Sequence, residues 1–289
     1  MGAGRLRRRL FRYALGPRWR SATDDAIRAA VTGRRVMIIG GSGDLGRAAA
    51  EVLARHGAEI VVLARRQHAL TEVVDRIRAA GGTASAVRCD LADPASIDAA
   101  VAIMVTRPPE VIVNAAGLSI RRSVAETVDR FDTVTRTNAV NYLGPVRLLT
   151  GLLPLMRTAG QGHWIEISTI SVDLPTPGWS AYAGSTAAQD AWLRAASPEL
   201  RAAGITVSRL HLPLVHTAGS APTYPSWVPG LSPDDAAAII AATVVRAPAL
   251  LTPWWARLAA IGWRAAGPAA DRAAGAVHRA MFRRAGRRP

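Results

Sequence analysis

From Arg34 onward, short uninterrupted apolar runs alternate with longer stretches in which apolar residues recur every three or four positions. Val36-Met37-Ile38-Ile39 and Ile60-Val61-Val62-Leu63 have the length and continuity of strands buried on both faces. Leu45 to His56 reads as a helix with Ala48, Ala49, Val52 and Leu53 on one apolar face, and Leu70 to Ala80 as another, closed by Gly81-Gly82. Weaker strand signals cover 85–88 and 111–113, and a long helical stretch runs from 132 to 155. A strand at Trp164-Ile165-Glu166-Ile167, a helix over 181–203 and a strand at 206–210 complete the pattern. Strands regularly separated by helices pair in parallel through right-handed crossovers, so the pattern predicts one α/β domain built on a doubly wound sheet.

Composition adds limits. The 289 residues, 49% hydrophobic and 20% charged, suffice for one large domain, and no apolar run reaches the length of a membrane span. A lone Cys89 excludes an internal disulfide framework, and no metal-ligand spacing is present; a reducing, cytoplasmic setting is expected. The net charge of +15 sits at the ends: residues 1–20 hold seven arginines and no acid, and residues 251–289 hold eight arginines and one acid, Asp271. Phe11, Tyr13, Trp19, Trp254, Trp255, Trp263 and Phe282 lie among these arginines. Such ends suit an anionic lipid interface, or they are solvated helices of an arginine-rich chain; no motif points to nucleic acid. The expected organisation is a basic helical extension over 1–33, the α/β domain over 34–253, and a basic helical extension over 254–289. Residues 218–233, rich in Pro, Ser and Gly, read as a loop over a site.

Gly40-Gly41-Ser42-Gly43-Asp44-Leu45-Gly46 joins the first strand to the first helix, where a glycine loop can bring backbone N–H groups and a helix N-terminus against a pyrophosphate. The second strand ends at Ala64-Arg65-Arg66, where guanidinium groups in place of an acid favour the 2′-phosphate of NADP(H); the competing reading is two surface arginines.

With Asn114-Ala115-Ala116-Gly117, Asn141, Thr169, Tyr182 and Pro213-Leu214-Val215-His216-Thr217, the chain resembles the short-chain dehydrogenase/reductase family from about Arg34 to Pro253. The resemblance implies a Rossmann-like sheet of about seven strands. It implies cofactor contacts from the glycine loop, Asp90, Leu91, Asn114, Ala115, Gly117, Pro213, Val215 and Thr217. It also implies catalysis by Tyr182 with Thr169 and Asn141, and by Thr186, which lies four residues on along the same helix face and is expected at the same cofactor edge. The segments 116–123 and 212–223 resemble actinobacterial members that reduce acyl thioesters, fatty aldehydes or β-keto lipids. A homo-oligomer, dimer or tetramer, is implied through the helices around 132–155 and 181–203.

Three departures stand out. The middle glycine of the family's loop falls on Asp44, and the family's serine, 13 residues before the tyrosine, falls on Thr169, with Ser168 and Ser171 as neighbours. The family's lysine falls on Thr186, and the chain contains no lysine at all. An unassisted tyrosine, with a pKa of about 10, is phenolate in roughly one molecule in a thousand at pH 7, so reduction with neutral Tyr182 as acid survives better than oxidation. Two readings follow. One is an NADPH-dependent reductase of a carbonyl on a hydrophobic substrate, free or bound to CoA or a carrier. The other is a protein of the same fold that has lost hydride transfer and acts as an isomerase, dehydratase, cyclase or binding partner. Glu166 is an acid in a buried strand, read as either a paired structural carboxylate or a site carboxylate.

Overall fold

The structure, a computed structural model, describes residues 15, 16, 19 and 21–284. Most of the expected N-terminal extension, including Phe11 and Tyr13, lies outside the described residues. Seven parallel strands form one sheet in the order β3-β2-β1-β4-β5-β6-β7. They are β1 (Arg35–Ile39), β2 (Glu59–Ala64), β3 (Thr83–Arg88), β4 (Val111–Asn114), β5 (Gly162–Thr169), β6 (Ile205–Leu212) and β7 (Leu250–Leu251). Strand order reverses between β1 and β4, so a crevice opens at their carboxyl ends, the usual ligand position of such sheets.

Successive side chains of a strand face opposite ways, and both faces here are covered. Val36 and Ile38 join one core cluster with Ala49, Leu53 and Ile240. Met37 and Ile39 join the other with Leu149, Leu152, Trp164 and Leu193. Double burial is why β1 and β2 appear in the sequence as continuous apolar runs.

The helices follow the expected alternation, with differences that matter to the site. An early helix, α1 (Asp24–Val31), is capped by Thr23 and buries Ile27 and Val31. Leu15 and Trp19 are buried in the same core, so Trp19 is unavailable to a lipid surface, against the expectation for the basic end. The helices α2 (Asp44–Arg55) and α3 (Gln67–Ala79) stand as read; α4 (Pro94–Ile103), started by the Asp93 cap and Pro94, was not read from the pattern. The long helix expected over 132–155 is interrupted. After the short α5 (Val124–Thr127), it divides into α6 (Asp132–Asn138), a π-helical turn at Ala139–Leu143, and α7 (Gly144–Ala159). Side-chain periodicity does not report one extra residue in a turn, and π-turns concentrate at functional positions. Beyond β5 come α8 (Ser180–Ala202), α9 (Pro233–Arg246), α10 (Trp254–Ala266) and α11 (Pro268–Arg284).

One helix end carries strain. Ala247 closes α9 with φ of 45°, the left-handed region that costs an L-residue about 1 kcal/mol and that glycine enters freely. Replacing Ala247 with glycine is expected to raise unfolding stability by about 0.5–1 kcal/mol, measurable as a higher denaturant midpoint with an unchanged slope.

Candidate active site

The glycine loop leaves β1 with no room for side chains. Gly40 has φ of 75°, and a Cβ on it would lie 2.7 Å from the Ala116 backbone. A Cβ on Gly41 would meet Val62 at 2.9 Å, and one on Gly46 would collide with the Gly40 carbonyl. The loop therefore packs backbone against backbone and leads into α2 through Gly43, an N-cap with no capping side chain. Uncapped N–H groups at a helix start fit an anion such as a pyrophosphate. Ser42 and Leu45 are half-buried in this loop. Arg65 and Arg66 are exposed at the end of β2, and Arg66 is the N-cap of α3. At the end of β3, the Asp90 carboxylate accepts from the Ala92 N–H at 3.0 Å, and Leu91 is buried beneath Gly144. These residues fit a dinucleotide across the crevice.

Asp44 occupies the place of the family's middle glycine and has a role that its position did not reveal. Its carboxylate accepts the Ala218 N–H at 2.7 Å, joining the start of α2 to the loop after β6. That loop is closed on itself: Val215 bridges to Leu231, His216 Nε2 bonds the Val228 carbonyl at 2.8 Å, and Thr217 accepts from the Ser220 N–H at 3.2 Å. Pro213 is buried at its base. His216 thus fastens the loop.

The catalytic group gathers at the carboxyl end of β5 and the first turns of α8. The Thr169 side chain favours ionisation of the Tyr182 phenol, but burial, the larger effect, raises its pKa above the ordinary value of 10.0. The ring stays a neutral phenol. Thr169 also bonds Ser171, whereas Ser168 points to the other side of the strand, where its hydroxyl has no partner among the described residues. Alternation along β5 therefore selects Thr169.

Asn141, on the π-turn, is buried and fully engaged. Its Oδ1 accepts the Leu118 N–H at 2.7 Å, while its Nδ2 donates to the Leu118 carbonyl at 3.0 Å and to Ser185 Oγ at 2.9 Å. Ser185 in turn donates to the Tyr182 carbonyl at 2.9 Å. Asn141 positions the site by holding the segment after β4, with its exposed Gly117, against α8.

Thr186 departs from its expected placement. Its hydroxyl turns back to the carbonyls of Tyr182, at 2.9 Å, and Ala183, at 3.1 Å. A threonine in a helix satisfies its own proton this way, and the group gives the Tyr182 phenol neither a positive charge nor a donor. Asn114 also differs from a cofactor contact: its amide donates to both Glu166 oxygens, at 2.9 and 3.1 Å, and its Oδ1 accepts the Ala116 N–H. Ala115 is held by the Ile39 carbonyl.

Glu166 is a buried carboxyl surrounded by donors, with Trp164 Nε1 at 2.9 Å and Gln189 Nε2 at 3.4 Å beside Asn114. Burial pushes its pKa up to about 7 in spite of these hydrogen bonds, and the Asp190 charge adds to the rise. Gln189 Oε1 lacks a partner among the described residues.

The sequence reading missed an aromatic cap. Trp179 and Tyr224 stack with ring centroids 5.8 Å apart, and the Arg121 guanidinium lies 5.1 Å from the Trp179 centroid. The three residues come from three segments, after β4, before α8 and after β6. An ionised Tyr224 would hold the Tyr182 proton more tightly, which puts the cap beside the phenol. A shallow cleft of about 310 Å³ between α2 and α3, lined by Glu51, Arg55, Arg76 and Ile77, contains none of these groups. Crevice chemistry lies at the sheet's carboxyl edge instead.

The family model described as short chain dehydrogenase matches residues 34–226. The chain belongs to the short-chain dehydrogenase family. A fatty acyl-CoA reductase of Acinetobacter baylyi is 39% identical over 234 residues, which cover 80% of this chain and 79% of that protein. A fatty acyl-CoA reductase of Mycobacterium tuberculosis is 39% identical over 211 residues, 72% of each chain. Among solved structures, a metagenomic short-chain oxidoreductase in complex with NADP superposes with a TM-score of 0.65 at 28% identity, covering 75% of this chain and 92% of that one. The family's doubly wound sheet is present here, and the chain contains no lysine.

Glu166 generates a pH dependence with a definite sign. Its folded pKa of about 7 exceeds the ordinary 4.5, so the folded state holds the proton more tightly. The stabilisation is complete below the lower value and is lost as pH rises through the higher one, roughly 3 kcal/mol in all. Glu166→Gln, whose amide can donate to Gln189 Oε1, is expected to gain stability over the parent progressively from pH 5 to pH 8, read by chemical denaturation at each pH. A difference independent of pH would show that Glu166 is charged throughout.

Proposed function

We propose that the protein is an NADPH-dependent reductase of a carbonyl group, an aldehyde, ketone or acyl thioester, on a hydrophobic, lipid-like substrate. The observation that carries this reading is the half-buried Tyr182 beside Thr169, a phenol kept neutral by desolvation at the carboxyl edge of the sheet. The identity to fatty acyl-CoA reductases supports an acyl substrate, free or carried on CoA or a carrier protein.

The fit to NADP(H) rests on the close-packed glycines Gly40, Gly41 and Gly46, the uncapped start of α2 and the exposed pair Arg65 and Arg66. When bound, the cofactor supplies the hydride. Tyr182 donates its proton to the substrate oxygen as negative charge develops there, and the Thr169 hydroxyl donates a hydrogen bond to the same oxygen. Asn141 and Ser185 fix the helix that carries Tyr182. Arg121, Trp179 and Tyr224 cap the substrate side and exclude water. Without a cation at position 186 the phenol is not driven toward phenolate, so the site favours reduction over alcohol oxidation. Phe131 and Leu143, both exposed on the segment from α6 to the π-turn, supply apolar surface for a homo-oligomer.

The second reading, a family member without hydride transfer, is favoured by the Thr186 hydroxyl bonded to its own helix and by Asp44, an anion at the glycine loop that is already bonded to Ala218. Stopped-flow and steady-state assays with NADPH and long-chain aldehydes, acyl-CoAs and β-keto thioesters separate the two. Tyr182→Phe is expected to lower kcat about 100-fold or more, and Thr186→Lys to raise the oxidation rate more than the reduction rate. Turnover unchanged in Tyr182→Phe overturns the reductase. Binding of NADPH with no oxidation by any substrate in parent or Thr186→Lys protein selects the second reading.

The cofactor assignment has its own check. Replacing Arg65 and Arg66 together with alanine is expected to weaken NADPH binding about tenfold or more, the value of a charge-assisted phosphate contact, and to leave NADH binding nearly unchanged in fluorescence titration.

A further inference from the structure

The helix α10 turns an apolar row outward. Trp254, Leu258 and Ile261 are 55%, 59% and 62% exposed, while Ala256 and Ala260 on the opposite side are buried against the domain. At 100° per residue the three exposed positions fall within about 60° of arc, so they form one stripe along the helix. Arg257 and Arg264, both exposed, flank that stripe on one side, and α11 continues with exposed Arg272 and Arg279. Asp271 is the only acid from residue 251 to the chain end, against eight arginines.

Topology gives this surface its place. α10 starts just beyond β7, which runs parallel to β6, so its first turn leaves the sheet at the carboxyl edge that carries Tyr182 and Thr169. The loop after β6 emerges at the same edge and exposes Trp227. Apolar side chains and the mouth of the site are thus products of one end of the sheet.

We propose that α10 docks the protein onto an anionic lipid bilayer, with Trp254, Leu258 and Ile261 in the interface and Arg257, Arg264 and Arg272 against the headgroups. A bilayer matches both halves of the surface. Indole rings and long aliphatic side chains partition into the interfacial zone, and guanidinium groups at its rim meet lipid phosphates. A second copy of this chain matches only one half, because pairing the stripe with itself brings arginines against arginines. Docking is independent of hydride chemistry and stands whichever reading of the active site holds.

Flotation of the full chain with phosphatidylcholine vesicles, with and without phosphatidylglycerol, tests the assignment. The protein is expected to float with the anionic vesicles and to be released by high salt. Trp254→Ser/Leu258→Ser/Ile261→Ser should reduce the floated fraction at least about tenfold, and Arg257→Gln/Arg264→Gln should reduce it while lessening its salt dependence. Circular dichroism and NADPH titration check that each variant is folded. An Ile261→Cys variant labelled with a polarity-sensitive dye is expected to blue-shift on anionic vesicles, the native Cys89 being buried. Failure of the parent to float, flotation of the triple variant at the parent's level, or an unshifted dye overturns the proposal. Loss of an oligomer in the triple variant without lipid, seen by size-exclusion chromatography, overturns it in favour of a self-association surface.

Discussion

A single buried carboxamide holds the catalytic edge together. Asn141 bonds both backbone groups of Leu118 and reaches Ser185, which bonds the carbonyl of Tyr182. One side chain therefore couples the segment after β4 to α8, and α8 carries the phenol. The arrangement depends on the π-turn at Ala139–Leu143, which brings Asn141 inward among three partners. In a buried setting an unmade bond from this amide would cost about 1–3 kcal/mol, so the geometry is strongly specified.

The chain contains no lysine, so no ammonium group lies beside the Tyr182 phenol. Tyr182 is surrounded by a hydroxyl, an aromatic cap and a helix turn, and burial is the dominant influence on its ionisation. Desolvation holds the proton on the oxygen. A group so placed is a poor base and an adequate acid, and this is the electrostatic basis of the reductive direction proposed above. Arg121 brings a cation into the neighbourhood, but it lies on the Trp179 face and acts on Tyr224.

Two further devices bind the edge. Asp44 ties the glycine loop to the segment after β6, so the cofactor side and the substrate side share a hydrogen bond. Deeper in the sheet, Asn114, Trp164 and Gln189 converge on Glu166, linking β4, β5 and α8. A carboxyl in this position is costly when charged and well supplied with donors, and the balance leaves it titrating near neutrality.

Much of this was legible in the chain. The doubly buried runs of β1 and β2 specified a parallel sheet, because only strands covered on both faces lack alternation. Glycines between strand and helix specified a turn with no room for side chains at Gly40, Gly41 and Gly46, at the carboxyl end of β1. What the sequence left undecided were contacts between residues far apart in the chain. Trp19 is aromatic among arginines, yet it packs into the core. Thr186 has a hydroxyl, yet helix geometry turns it onto its own backbone. Asn114 shows no partner in the sequence, yet its amide is bonded to Glu166, 52 residues on. The stack of Arg121, Trp179 and Tyr224 joins three loops with no common periodicity. Local pattern reports which face of an element is apolar, whereas the partner of a polar group is set by how the elements pack, and only the tertiary structure decided those partners.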